Sequence, residues 1–305
     1  MSKFVVAGVT HIETIVKVDR IPIEYAPLTQ APHTLFTSAG GDAYNESLAL
    51  KWLGDEVDFV SVIGENEDTG FLNPPGRSVT LDLDYVLPVL KETPAAVVLY
   101  DEERRQQHYE DNKDIRDAVY DIALFEKAAA DCDMIVTANA NFCRPFIEVA
   151  KKHDKKMALN LRNFSREKEQ YSTDFLSAAD ILYFSDDNMD EDPYEFIRSI
   201  EQDYHPEIVI LGQGAEGLII SDRKADIIAH YNTVKTAEVL NTVGAGNALF
   251  SCFLHYYLEN GDSVYAIKNA LLFASYKIGF MGTSNGFMTV DQLQQWRGII
   301  WDFRK

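Results

Sequence analysis

The stretch NTVGAGNALFSCFLHYYLENG, residues 241–261, places a glycine-rich turn directly before an apolar run with helical spacing. Gly244, Ala245 and Gly246 come first; Leu249, Phe250, Phe253, Leu254, Tyr257 and Leu258 then recur as on one buried helix face. A helix opened this way presents backbone amides without intrahelical acceptors at the positive end of its dipole, a place that stabilises phosphate or a developing oxyanion. Glycine suits the position because a side chain would hold a ligand away. The same residues fit a plainer reading, in which Gly244 and Gly246 only permit a tight turn and Asn247 caps the helix.

Two hundred residues earlier, SAGGDAYNESLALKWLG (residues 38–54) repeats the pattern of glycines before a helix, with Leu48, Leu50, Trp52 and Leu53 near helical spacing and Gly54 as the stop. Gly40 and Gly41 would let a polyhydroxylated ligand approach the backbone, and Asn45 offers both a donor and an acceptor. An ordinary Gly-Gly turn is the alternative.

Between and around these turns, strands and helices alternate. Short apolar runs at 4–7, 57–63, 95–100, 134–137, 157–161, 181–184, 208–211 and 218–220 read as strands. Residues 120–130 and 146–153 read as helices, and 15–37 as short β segments outside the main core around a proline-rich middle. This predicts an α/β fold: a mostly parallel sheet with helices on both faces and no linker dividing residues 1–305. FLNPPGR (71–77) cannot carry a regular helix.

Bulk properties narrow the function classes. With 28 basic against 48 acidic side chains the formal charge is −20, which disfavours nucleic acid and anionic membranes as partners. A small phosphorylated ligand stays compatible, because main-chain amides and a metal can hold phosphate. Cys132, Cys143 and Cys252 lack disulfide spacing and are expected to be reduced and buried. The N-terminal apolar run is too short for a signal or a span, so a cytoplasmic location is expected.

The order GGDAYN, then VIGENEDTG with Gly64, Asp68 and Gly70, then NTVGAGN resembles the ribokinase-like (PfkB) family of sugar and nucleoside kinases, which reads GGxxxN, GxDxxG and DTxGAGD. The resemblance implies a Rossmann-like domain with a small β lid drawn from about residues 15–37. It also implies ATP and Mg²⁺ as cofactors, a sugar or nucleoside as substrate, and pairing of two copies through the lid. Residue by residue, it assigns the anion hole to Gly244, Ala245 and Gly246, and substrate contacts to His11, Glu13, Gly40, Gly41 and Asn45. Nucleotide contacts would fall on Ser185, Asn188, Gly214, Gly217 and Gly282, with Asp186 and Asp187 as metal candidates.

The departures are acidic. Asn247 stands where the family places its catalytic aspartate, Asn241 replaces the first aspartate of the motif, and SDDN (185–188) replaces an NxxE element. An amide cannot take a proton near neutral pH, and general base catalysis contributes on the order of 10²–10⁴-fold. Two readings follow: an impaired ATP-dependent kinase, or a non-catalytic relative that binds a sugar, nucleoside or nucleotide. A nicotinamide dehydrogenase fits poorly, since GVTHIE after the first strand lacks the GxGxxG turn. KKHDKK (151–156) reads as a helix C-terminus, DEERRQQHYED from 101 as a solvated hairpin or loop, and Tyr256, Tyr257, Phe273 and Tyr276 as helix packing.

Overall fold

The computed structural model describes residues 1–103, 105–162, 164–187 and 189–302. Its first strand, β1 (Lys3–Ala7), shows how the layers arise: Phe4 and Val6 enter one hydrophobic cluster, Val5 and Ala7 another. Successive strand side chains point to opposite faces, so a continuous apolar run means both faces are covered.

In chain order there follow β2 (His11–Lys17), β3 (Leu35–Gly40), α1 (Asp42–Trp52), β4 (Glu56–Gly64), β5 (Val86–Leu90), β6 (Ala95–Tyr100), β7 (Gln106–Asp111), α2 (Ile122–Ala129), β8 (Met134–Ala138), α3 (Phe146–Lys152), β9 (Lys156–Leu161), α4 (Glu169–Ala178), β10 (Ile181–Ser185), α5 (Pro193–Tyr204), β11 (Ile208–Gly212), β12 (Leu218–Asp222), β13 (Ile227–Tyr231), α6 (Ala245–Asn260), α7 (Ser263–Lys277) and α8 (Val290–Arg297).

Nine strands form the large sheet in the order β13-β12-β11-β10-β9-β8-β1-β4-β5. Only β12 and β13 join it antiparallel. Helices α1, α6, α7 and α8 bury Leu48, Phe250, Phe273 and Leu293 against one face. Helices α2 to α5 bury Phe125, Phe146, Phe175 and Phe196 against the other. Each such side chain contributes roughly 1.5–3 kcal/mol on leaving water. The three cysteines are buried and unpaired, and burial pushes the Cys132 thiol up to about 11.

A separate four-stranded sheet has the order β3-β2-β6-β7. Its strands come from a wider stretch than residues 15–37, for β2 begins at His11 and β6 and β7 lie beyond position 94. Residues 18–34 contain no strand. Residues 95–100, expected among the central strands, belong here instead: they alternate exposed and buried at Ala95, Ala96, Val97 and Val98, the signature of a sheet covered on one face. The charged segment after Asp101 forms the antiparallel partner β7, as a solvated hairpin would.

Local signals set several ends. Asp121 caps α2, Asp192 caps α5 ahead of Pro193, and Gly261 ends α6 in the left-handed conformation. Lys151 and Lys152 fall in the last turn of α3. FLNPPGR is irregular, and Asn73 pins it by bonding both the amide and the carbonyl of Leu81, at 3.0 and 2.8 Å.

The large sheet reverses direction of growth at β1, with β4 on one side and β8 on the other. Ligands in open sheets of this kind bind outside the C-terminal ends of the strands at such a point. Helix α1 starts there: a Cβ built on Gly8 would lie 3.0 Å from Ala138 Cβ and 3.2 Å from Ala43 Cβ.

Candidate active site

The two glycine turns meet above that crevice. Gly41 enters α1 with φ 102°, and a Cβ on it would run into the Val9 carbonyl, so the backbone admits only glycine. Gly40 lies against β2; its Cβ would stand 3.0 Å from both Glu13 Cβ and His11 Nε2. Helix α1 consequently starts at Asp42, earlier than the apolar spacing after Asn45 suggests.

On the other side, Gly244 takes φ 81° at the start of α6, with Thr283 O 2.8 Å from where its Cβ would be. No side chain caps this helix; Ala245 N donates to Thr242 O at 3.1 Å and the first intrahelical bond runs from Ala248 N to Gly244 O, so the amides of half-exposed Gly246 and of Asn247, in the first turn, are the ones left for an anion. A Cβ on Gly246 would meet Tyr183 Oη at 2.7 Å.

Asn247 does not cap the helix. It is the third helical residue, and its Nδ2 donates to Asp42 Oδ1 at 2.9 Å and to Glu46 Oε1 at 3.3 Å. Two carboxylate neighbours fix the amide orientation, nitrogen toward them. Glu46 is buried and also accepts from Asn160 Nδ2 at 2.6 Å. Burial, with the Asp42 charge beside it, pushes the Glu46 carboxyl up to about 8 against the pull of those bonds. Arg162, just past β9, lies 4.0 Å from Asp42 Oδ1 and 3.6 Å from Glu110 Oε1. Its pKa is raised, chiefly by the Asp42 charge.

The four-stranded sheet covers this junction. Pairing places Glu13 beside Ser38 and Ala96, and Ala96 beside Glu110, on one face; Ile15, Val98 and Tyr100 of that face pack with Val243 and Met281. Gln106 Nε2 donates to Thr242 Oγ1 just ahead of the Gly244 turn. His108 stays exposed, with its Nε2 3.1 Å from Gln106 Oε1. His11 Nε2 reaches Glu13 Oε2 at 3.4 Å, whereas Glu13 Oε1, Ser38 Oγ and Asn45 Oδ1 are buried without a partner. Such acceptors cost free energy until a donor arrives.

Beneath the Gly244 turn, Asn241 Oδ1 accepts from Val243 N at 3.0 Å and Lys277 Nζ donates to Val243 O. Burial pulls the Lys277 ammonium down to about 7, partly opposed by Glu13.

The residues expected around a nucleotide are less tightly gathered. Ser185 Oγ donates to Asp187 Oδ2 at 2.8 Å, and Asp186 N to Gly212 O at 3.0 Å, at the end of β10. Burial and the Asp187 charge raise the Asp186 pKa. Asn188 lies outside the described residues. Gly214, at φ 53°, has open space around it. Gly217, at φ 107°, abuts the Tyr231 carbonyl, and a Cβ on Gly282, at φ 85°, would stand 2.5 Å from Phe36 Cε1 of β3. Among the described residues no three His, Cys, Asp or Glu side chains form a metal-sized cluster. None of their helices is long and apolar enough to cross a membrane.

Asp42, Glu46, Asn160, Arg162 and Lys277 were not singled out by sequence patterns. Asp42 and Glu46 carried a usable signal, two carboxylates four apart on one helix face beside Gly-Gly. Asn160 and Arg162 carried a weaker one, polar residues closing an apolar strand. Lys277 carried none.

Known proteins share this architecture. A deoxyribokinase of Salmonella typhi is 28% identical over 159 residues, 50% of this chain and 51% of that protein, so this match spans about half of the relative. A microbiome-derived acarbose kinase superposes with TM-score 0.82 at 20% identity, covering 96% of this chain and 98% of the other. A ribokinase of Arabidopsis thaliana, solved with ribose and ATP, gives 0.77 at 17% identity, over 96% and 98%. Those structural likenesses establish the ribokinase-like fold. The model of the pfkB family carbohydrate kinases matches residues 1–289, and the chain therefore belongs to that family.

Proposed function

We propose that this chain binds ATP and transfers its terminal phosphoryl group to a hydroxyl of a sugar or nucleoside. The observation that carries the reading is the 2.9 Å bond from Asn247 to Asp42, which joins the uncapped start of α6 to the Gly40-Gly41 turn. An anion site then adjoins a pocket whose buried acceptors, Glu13 Oε1, Ser38 Oγ and Asn45 Oδ1, require donors such as the hydroxyls of a polyol. Phosphoryl transfer depends mostly on positioning and charge stabilisation, which main-chain amides supply.

Magnesium fits this donor set. It is held by one or two carboxylates together with substrate phosphates, and Asp186 and Asp187 are the carboxylates that would hold it. When bound it would offset phosphate charge.

The test is ADP release from ATP and Mg²⁺ across a panel of sugars and nucleosides, with acceptor-dependent release expected from at least one. A second reading, a binding protein without turnover, is favoured by the amide at Asn247. Raised melting temperature with ATP or an acceptor, and no ADP, would support it, since a ligand preferring the native state stabilises it.

The outer face of the four-stranded sheet exposes Leu35 (63%), Val97 (39%) and Tyr109 (54%). A second copy of this chain would cover them, and Val97→Lys with Tyr109→Lys should shift the sedimentation coefficient from dimer to monomer. An unchanged coefficient in the variant would remove this surface from consideration.

A further inference from the structure

We propose that Asp42 accepts the proton of the acceptor hydroxyl, so that the base of this enzyme stands on α1 and not on α6. The inference rests on the kinase reading above. As the acceptor oxygen bonds to the γ-phosphorus, the bond from phosphorus to the bridging oxygen breaks and its electron pair leaves with ADP. The hydroxyl proton must go to a group with a free, basic lone pair, and a carboxamide at position 247 has none to offer near neutral pH.

Two carboxyl groups hydrogen-bond the Asn247 amide, and their surroundings separate their roles. Glu46 is enclosed, holds two amide donors on Oε1 and keeps its proton to about pH 8. Asp42 retains 28% side-chain exposure, and only its Oδ1 is engaged by Asn247. It is the first residue of α1, directly after the Gly40-Gly41 turn where a polyol would lie. Arg162, 4.0 Å away, and Asn247 Nδ2 hold the carboxylate in place. Of the other acids near Arg162, Glu13 is buried in β2 beside His11, and Glu110 on the edge strand β7 has its Oε1 turned to Arg162 at 3.6 Å. After transfer the proton leaves Asp42 Oδ2 for solvent.

Asn247 thus acts as a positioning residue: its amide donates to both carboxyl groups, where a carboxylate at 247 would be repelled by Asp42. The experiment measures acceptor-dependent ADP release from the wild-type chain, Asp42→Asn, and the double variant Asp42→Asn with Asn247→Asp. Melting with a nonhydrolysable ATP analogue is followed in parallel. An asparagine at position 42 still offers Oδ1 to the Asn247 amide, so the variant keeps the junction. Asp42→Ser is a second neutral replacement.

Asp42→Asn and Asp42→Ser should each lower kcat by about 10²–10⁴-fold with the analogue-induced melting shift retained. The double variant should regain at least about tenfold over Asp42→Asn. Wild-type kcat in both neutral variants would overturn the assignment and leave the kinase reading standing. Turnover in the double variant from a silent wild type would also overturn it, by placing the required base at position 247. Silence from every form with every acceptor would overturn the kinase reading, and the role of Asp42 with it.

Discussion

Asn247 and Asp42 lie 205 positions apart in sequence and 2.9 Å apart in space, donor nitrogen to carboxylate oxygen. That bond ties the first turns of two helices from opposite ends of the chain, and it makes the electrostatics of each turn a property of both.

Replacing the amide by an acid tests this coupling. Asn247→Asp sets a third carboxyl against Asp42 and Glu46, so its folded-state pKa is raised and the stability it allows is lost as pH rises. Denaturant unfolding should show a loss on the order of 2 kcal/mol at pH 8, shrinking toward pH 5. Adding Asp42→Asn should restore much of it.

Glu46 carries its own pH signature. Its pKa rises from 4.5 in the reference state to about 8 in the fold. The folded state therefore binds more protons between these values, and stability falls as pH climbs through that window. Glu46→Gln keeps an acceptor for Asn160 and Asn247 and removes the titration. The variant should match wild type near pH 4.5 and exceed it by about 1 kcal/mol or more at pH 8 in urea titrations.

Lys277 gives the opposite slope. Its ammonium titrates near 7 in the fold against 10.5 in the reference state, so the unfolded chain binds more protons and stability rises with pH between those values. Lys277→Met should flatten that rise. It also removes the donor to Val243 O, and the melting shift produced by ATP should shrink as the Gly244 turn loosens.

Gly246 and Tyr183 form a steric pair, with 2.7 Å between Tyr183 Oη and the site of a Cβ. Gly246→Ala should cost about 1–3 kcal/mol, the range for overpacking. Removing the hydroxyl with Tyr183→Phe should relieve part of that cost, so the double-mutant cycle should show a coupling of about 0.5 kcal/mol or more.

Much of the fold was legible because a parallel sheet covered on both faces announces itself as apolar runs. Strands β1, β4, β8, β9, β10 and β11 all matched such runs within about two residues of their ends. The allocation of residues 95–100 was not legible. A short half-buried strand and a short central one look alike until exposure shows which faces are covered. The capping role for Asn247 failed for a related reason: three positions into a helix, a side chain can turn to a cap or to a neighbouring helix, and the neighbour was invisible.

By itself the sequence determined the α/β alternation, the two glycine turns and the presence of an amide at position 247. These are local properties, fixed by residue type, spacing and backbone freedom. Tertiary structure alone decided that Asp42 opens to the cleft while Glu46 is enclosed, and that Arg162 and Lys277 stand beside the turns. Burial and the distance between charges depend on how segments far apart in the chain pack together, and those two quantities set which carboxyl holds a proton and which can receive one.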